Sequence, residues 1–258
     1  LQYASGELRA DREIVLAAVK QNGEVLQHAS AELRADRDML MLAAAEIAGG
    51  SGGSGGIGMR KGLVVGINEY SSSHLRCCVN DATDVHAALL RMGFESTLVL
   101  DCDIDAFLQA TREFVNSLLP GDVGFFYFAG RGTEASASNW LIARQMPEHR
   151  DYLPRLAVDA NNLLAGMEAR KTRFNVFVLD CGRDDPLHTD ERSAGGHVAS
   201  MDPKGSLVAF GCARGQATAE RQRHRHGIFT QHLLEHIETR GLDINTLFIR
   251  VGNAVEEA

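Results

Sequence analysis

Phe125-Phe126-Tyr127-Phe128-Ala129-Gly130-Arg131-Gly132 and Val176-Phe177-Val178-Leu179-Asp180-Cys181-Gly182-Arg183-Asp184-Asp185-Pro186 decide the reading of this chain. Each is an apolar run that passes into a polar or glycine-bearing turn. Such runs suit strands buried on both faces of a parallel sheet, and functional crevices form where those strands end. The two segments therefore predict strands that carry Arg131 and the stretch from Asp180 to Gly182 to a crevice.

Outward from these segments, strand and helix patterns alternate. Apolar strand runs cover 62–67, 96–100, 122–128, 174–179 and 206–211, with helical periodicity over 81–92, 103–118, 159–170, 228–239 and 243–255. Asp103 is the expected cap of the second helix, and Pro120-Gly121 its stop. The alternation predicts an α/β fold of three layers, α/β/α, with a mostly parallel central sheet.

The N-terminal region reads differently. Leu1-Gln2-Tyr3-Ala4-Ser5-Gly6-Glu7-Leu8-Arg9-Ala10-Asp11-Arg12 recurs as Leu26-Gln27-His28-Ala29-Ser30-Ala31-Glu32-Leu33-Arg34-Ala35-Asp36-Arg37. Each unit predicts two short helices, with Asp11 and Asp36 capping the segments that begin at Arg12 and Arg37. Asn22-Gly23 reads as a C-cap, and Ile14, Val15, Ala18 and Val19 as an apolar face. The expected organisation is a small all-α repeat segment over 1–48, a Gly/Ser linker over 49–59 and the α/β domain over 60–258. Two units are too few for a stable stack, and the chain begins without Met inside a repeat, so a fragment with further copies upstream is expected.

The 258 residues are 45% hydrophobic, enough for a real core. A net charge of −8 argues against a nucleic-acid or anionic-membrane partner. No apolar run reaches the ~18 residues that read as a membrane span. Glu7, Arg9 and Asp11 are unlike a secretory signal. Five cysteines without zinc-type spacing read as reduced thiols, and so as a cytoplasmic protein.

The two opening segments resemble the active-site segments of caspase-like cysteine peptidases, the group of caspases, metacaspases and paracaspases. There the first usually reads F-Y-F-A-G-H-G, with His as general base, and the second L-D-A-C-R-x-N-P, with Cys as nucleophile. Here Arg131 stands at the His position and Gly182 at the Cys position, with Cys181 one place early. Further matches are Gly62 to Tyr70 at the first strand and its turn, Asn80-Asp81-Ala82, Gly121-Asp122, and Gly205 to Ala217 followed by Gly227-Ile228-Phe229-Thr230. The resemblance implies the caspase-like fold over this whole region. No further edge strand is legible after Val255, so truncation at the C-terminus is expected. The N-terminal units are similar to protist repeats of unknown function with an L-Q-Y-A-S-x-E-L-R-x-D core.

Thiol peptidase chemistry needs a thiolate and a base that exchanges a proton near neutral pH. Arginine stays protonated in proteins, so Arg131 is no base, and Gly182 has no side chain. If the strand continues through Cys181, one residue of offset sends its thiol to the opposite face. Cys181 is the only local candidate for a substitute nucleophile, and a rearranged turn would have to bring it back; the plainer reading is a buried small residue beneath the turn. His188, His197, His224 and His226 lie in polar stretches and read as solvated loop histidines, as does the basic run Arg221 to His226.

In metacaspases and paracaspases an acidic pocket receives Arg or Lys of the substrate. The resemblance assigns Asp81 and Asp180 to that pocket, with Ala213 to Ala217 as its closing loop and a third acid missing. By residue type alone, Asp81 also reads as a helix N-cap and Asp180 as an exposed acid in a turn. Arg131 is expected to fold into the vacated site and pair with Asp180. No metal or cofactor is expected. Asp101 to Asp105 imitates a calcium loop, but Ala106 and Arg112 replace its glycine and glutamate, and His232 and His236 lack a third ligand.

The expected function is an inactive caspase-like homologue that binds a protein or peptide, with an active relative among its candidate partners. The alternatives are an endopeptidase that cuts after Arg or Lys through Cys181, and a fragment with no selected function.

Overall fold

The computed structural model describes residues 4–19, 23–36, 58–71, 74–135, 138–145, 149–182, 201, 205–211 and 224–257. Residues 49–57 of the Gly/Ser linker, His188, His197 and the loop from Ala213 to Ala217 lie outside the described residues. The chain divides into two compact units, Leu1–Ile57 and Gly58–Ala258.

In the first unit, helices α1 (Gly6–Ala10), α2 (Arg12–Val19) and α3 (Ala31–Ala35) flank a 3-10 turn at Gly23–His28. Asp11 caps α2 as the sequence predicts, accepting from the Glu13 and Ile14 amides at 2.9 and 3.1 Å. Ser5 and its repeat counterpart Ser30 cap α1 and α3, each accepting from the leucine three residues on at 3.4 Å. Val15 and Val19 pack with Leu26, Ala29 and Leu33. Ile14, expected on that apolar face, is instead exposed, because only the stripe through Val15 and Val19 meets the turn. The segment from Arg37, which Asp36 was expected to cap, lies outside the described residues.

The second unit contains a seven-stranded sheet among its described residues. Its strands are β1 (Arg60–Gly66), β2 (Glu95–Leu100), β3 (Val123–Ala135), β4 (Ser138–Ile142), β5 (Ala157–Asp159), β6 (Phe174–Gly182) and β7 (Ser206–Phe210). Five of them lie parallel in the order β2-β1-β3-β6-β7. The helices are α4 (Cys78–Arg91), α5 (Ile104–Ser117), α6 (Leu153–Leu156), α7 (Ala160–Ala169), α8 (Ile228–His236) and α9 (Ile244–Glu257).

Alternation along the strands builds two cores. Leu63, Val65, Phe126, Phe128, Phe177 and Leu179 face Phe107 and Phe114 of α5 and Leu163 and Met167 of α7. Val64, Phe125, Tyr127, Val176 and Val178 face Val85 and Leu89 of α4, Leu233 of α8 and Val251 of α9. The result is the three-layer α/β/α arrangement, with period-2 strands buried on both sides.

Three local readings need correction. The strand expected at 122–128 runs on to Ala135, because β3 changes partner: its first part pairs with β1 and β6, and Gly132 to Ala135 pair with β4 as an antiparallel hairpin. The strand expected to stop at Leu179 continues through Gly182. The helix expected from Asp81 starts at Cys78, since Asn68 Oδ1 accepts the Val79 amide at 3.2 Å and supplies the missing cap from another loop.

Candidate functional site

Strand β6 ends at Gly182 beside β3, which runs on, and their register sets the geometry. Arg131 is the direct partner of Gly182, and Gly130 of Cys181. The two positions that the resemblance assigns to base and nucleophile are thus neighbours across one parallel ladder. Neighbouring parallel strands carry partnered residues on the same face.

Cys181 belongs to the other face. It is 4% exposed and packs in the core of Phe128 and Leu179. Beside it, Thr133, Trp140, Leu141 and Phe210 line a void of about 10 Å³, room for at most one water. The strand offset anticipated from sequence is what separates it from the crevice.

Arg131 lies over the Tyr70 ring, with its guanidinium carbon 5.4 Å from the ring centroid. Its backbone amide donates to the Tyr70 hydroxyl at 2.7 Å, and that hydroxyl donates to the Ile142 carbonyl at 3.3 Å. Burial drives the Tyr70 pKa well above its ordinary value. A Cβ at Gly130 would stand 2.5 Å from the same hydroxyl, so a glycine is needed where Tyr70 closes the strand end. The expected pairing of Arg131 with Asp180 is not what forms. Among the described residues no ion pair joins them, because Asp180 is already engaged by the next helix layer.

Asp180 is 5% exposed, which corrects its reading as an exposed turn acid. The Thr230 hydroxyl of α8 donates to Asp180 Oδ2 at 2.5 Å, and the Tyr127 hydroxyl stands 2.5 Å from Thr230 Oγ1. With Thr230 giving its proton to the carboxylate, Tyr127 must be the donor to Thr230, so the three groups form a directed chain. Burial raises the Asp180 pKa from 3.8 to about 6, against the pull of Thr230 and Tyr127. Burial likewise raises that of Tyr127, with Asp180 adding to it. A Cβ on Gly211 would lie 2.4 Å from Asp180 Oδ1, so only glycine permits that close approach.

Asp81 is 2% exposed and sits within the first turn of α4 rather than before it, so it does not cap its own helix. Its carboxylate instead accepts the amide of Gly227, the N-cap residue of α8, at 3.2 Å from each oxygen. His226 Nδ1 lies 2.9 Å from Asp81 Oδ1, and its Nε2 lies 3.2 Å from Asp84 Oδ2. Burial lowers the His226 pKa and outweighs the opposing pull of Asp84. Arg225 holds Asp84 below the ordinary carboxylate range.

The structure brings Asp81 and Asp180 together. A Cβ on Gly227 would meet Asp81 Oδ2 at 3.3 Å and Asp180 Oδ2 at 3.6 Å. His226, Thr230, Tyr127 and Asp84 complete this cluster and were not foreseen. Asp84, one helical turn beyond Asp81, was legible as its neighbour by spacing, whereas Thr230 was visible only as part of the Gly227-Ile228-Phe229-Thr230 motif. His226 corrects its reading as a solvated loop histidine, since its side chain is 17% exposed against Asp81, whereas Arg225 stays exposed as expected while it pairs with Asp84.

The calcium-like stretch serves the backbone. Asp101 Oδ1 accepts the Asn68 and Glu69 amides at 2.7 and 2.9 Å, and Asp103 caps α5 through the Ala106 amide at 2.9 Å. Among the described residues no helix is long and apolar enough to cross a membrane.

A caspase domain matches residues 59–258, and a domain of unknown function (DUF4116) matches 1–34 and 11–44. The chain is similar to Metacaspase-1 of Mycosarcoma maydis, 32% identical over 93 residues, covering 31% of this chain and 23% of that protein. It is similar to Mucosa-associated lymphoid tissue lymphoma translocation protein 1 of Homo sapiens, 26% identical over 121 residues, covering 47% of this chain and 14% of that protein. The match thus spans less than a quarter of either relative's length. Among solved structures, a Geobacter sulfurreducens protein aligns with a TM-score of 0.55 at 16% identity, covering 75% of this chain and 88% of that one, a likeness of fold alone. With most of its length matched by that domain, the chain belongs to the caspase-domain family.

Proposed function

We propose that this chain is a catalytically inactive caspase-domain protein that acts as a binding or regulatory module. In this reading, its acidic pocket takes an Arg or Lys side chain of a protein partner. The observation that carries it is the register of β3 against β6. Where the family's chemistry needs a base beside a thiol, Arg131 faces Gly182. A guanidinium that keeps its proton does not exchange one with a leaving group, and glycine brings no nucleophile. Cys181, buried on the opposite face of the sheet, is no replacement within this geometry.

What persists is the acid pair. Buried carboxylates are costly unless compensated, and Asp81 and Asp180 are both buried and close to one another. A planar guanidinium is the side chain best suited to such a pair. The candidate partners are proteins with an exposed basic residue, an active caspase-like relative among them. A cytoplasmic setting belongs to this reading, in keeping with reduced cysteines.

The test is a direct assay with fluorogenic Arg and Lys peptides. The full chain should give no turnover, and should retain a partner bearing a basic residue in an Asp81-dependent way. Turnover that disappears in Cys181→Ala would overturn the proposal and establish an endopeptidase.

A further inference from the structure

The residues that meet the pocket acids belong to the chain itself. Cys77, Asn80, Asp81 and Asp84 recur at three- and four-residue spacing and so share one face of α4. Residues 224–227 run along that face. Cys77 Sγ lies 3.6 Å from the His224 carbonyl, and Asn80 Nδ2 donates to the Arg225 carbonyl at 3.2 Å. Arg225 places Nε and Nη2 on the two oxygens of Asp84 at 2.9 and 3.1 Å, a bidentate pair. His226 bridges Asp81 and Asp84, and the Gly227 amide closes on Asp81. Backbone carbonyls, a guanidinium, an imidazole and an amide thus each meet a partner on α4, as the groups of a docked basic peptide would.

We propose that Arg225-His226-Gly227 is an internal ligand of the acidic pocket, which an incoming Arg- or Lys-bearing peptide must displace. This rests on the reading of the pocket as a site for basic side chains, and specifies how that site is regulated. Three features support it. The segment covers Asp81 to 2% exposure, so an outside cation reaches that carboxylate only after the segment leaves. The exchange keeps the carboxylates compensated, since an incoming basic side chain takes over the places that the His226 imidazole and Gly227 amide hold on Asp81 and the Arg225 guanidinium holds on Asp84. The latch is also shallow. The Arg225 side chain is 59% exposed, where ion pairs contribute little, while His226 at 17% lies deeper. Asp84 becomes a third acid at the rim, supplied by α4 in place of the one missing from the loop.

An internal ligand lowers apparent affinity in proportion to the fraction of molecules that are open. The probe is a fluorescein-labelled tetrapeptide ending in arginine amide, titrated by anisotropy into the full chain. Arg225→Ala combined with His226→Ala should bind it about tenfold or more tightly than the parent, and Asp81→Asn should abolish binding in both backgrounds. Equal affinity in parent and double variant, still lost in Asp81→Asn, would overturn the internal ligand and leave the pocket standing. No binding in either would overturn both. Should the double variant fold poorly, hydrogen exchange in the parent decides. Saturating peptide should speed exchange of the Gly227 amide, and unchanged or slower exchange sinks the proposal.

Discussion

Two pairs of positions compare instructively in this domain. Arg131 and Gly182 face each other across β3 and β6 with neither of the side chains the peptidase reaction uses. Asp81 and Asp180 converge on Gly227 with both carboxylates buried and hydrogen-bonded. The first pair sits on strands whose backbone ladder holds whatever the side chains are, so chemistry can leave without disturbing the fold. The second is wired into side-chain contacts with α8 and the segment before it, so its loss would leave donors without acceptors. A backbone-held site is free to change its chemistry; a site held by its own side chains is not.

The largest effect should come from restoring the first pair. Arg131→His with Gly182→Cys places a base and a thiol on partnered residues, and should raise hydrolysis of an Arg fluorogenic peptide by about 10²-fold or more over the parent background. Adding Cys181→Ala should leave that gain intact. If the gain requires Cys181, the assignment of faces fails.

A smaller effect tests the second pair. Burial holds the Asp180 carboxyl at about 6, above 3.8, so the folded state binds this proton more tightly than the unfolded chain. The stabilisation it gives is complete below pH 3.8 and is lost as the pH rises through about 6. Denaturation of the parent and of Asp180→Asn at a series of pH values should give a stability difference that changes by about 3 kcal/mol across this window. A flat difference would mean that Asp180 ionises as if in water. Least of all should Arg131→Ala matter, with a loss below about 1 kcal/mol from its contact with Tyr70. The Asp180 titration followed by carboxyl NMR should not move; a shift there would show that the two pairs are coupled after all.

The order of the five parallel strands and of the long helices was legible because apolar runs and helical periodicity are local, and Asp103 announces its helix in the same way; the short β4, β5 and α6 were not read. The length of β3 was not legible, since its continuation past Gly130 depends on finding β4 as a new partner. Nor was the start of α4, where the cap comes from Asn68 in a separate loop. At the site, the offset of Cys181 followed from strand periodicity alone. The expectation for Arg131 failed for a different reason. Charge complementarity names a class of partner, but the path of the chain decides which group reaches an acid, and at Asp180 the Thr230 hydroxyl arrives first.

The thirteen residues of β3 bond to β1 on one side, to β6 on the other and, further along, to β4. Position 131 is therefore mounted on the keel of the sheet rather than on a replaceable plank. Substituting its side chain leaves the hull intact, while any drift of its backbone would strain the seam with β6 and, next to it, the points where the β1 seam ends and the β4 seam begins. Descendants of this chain can repaint that spot many times before they can relocate it.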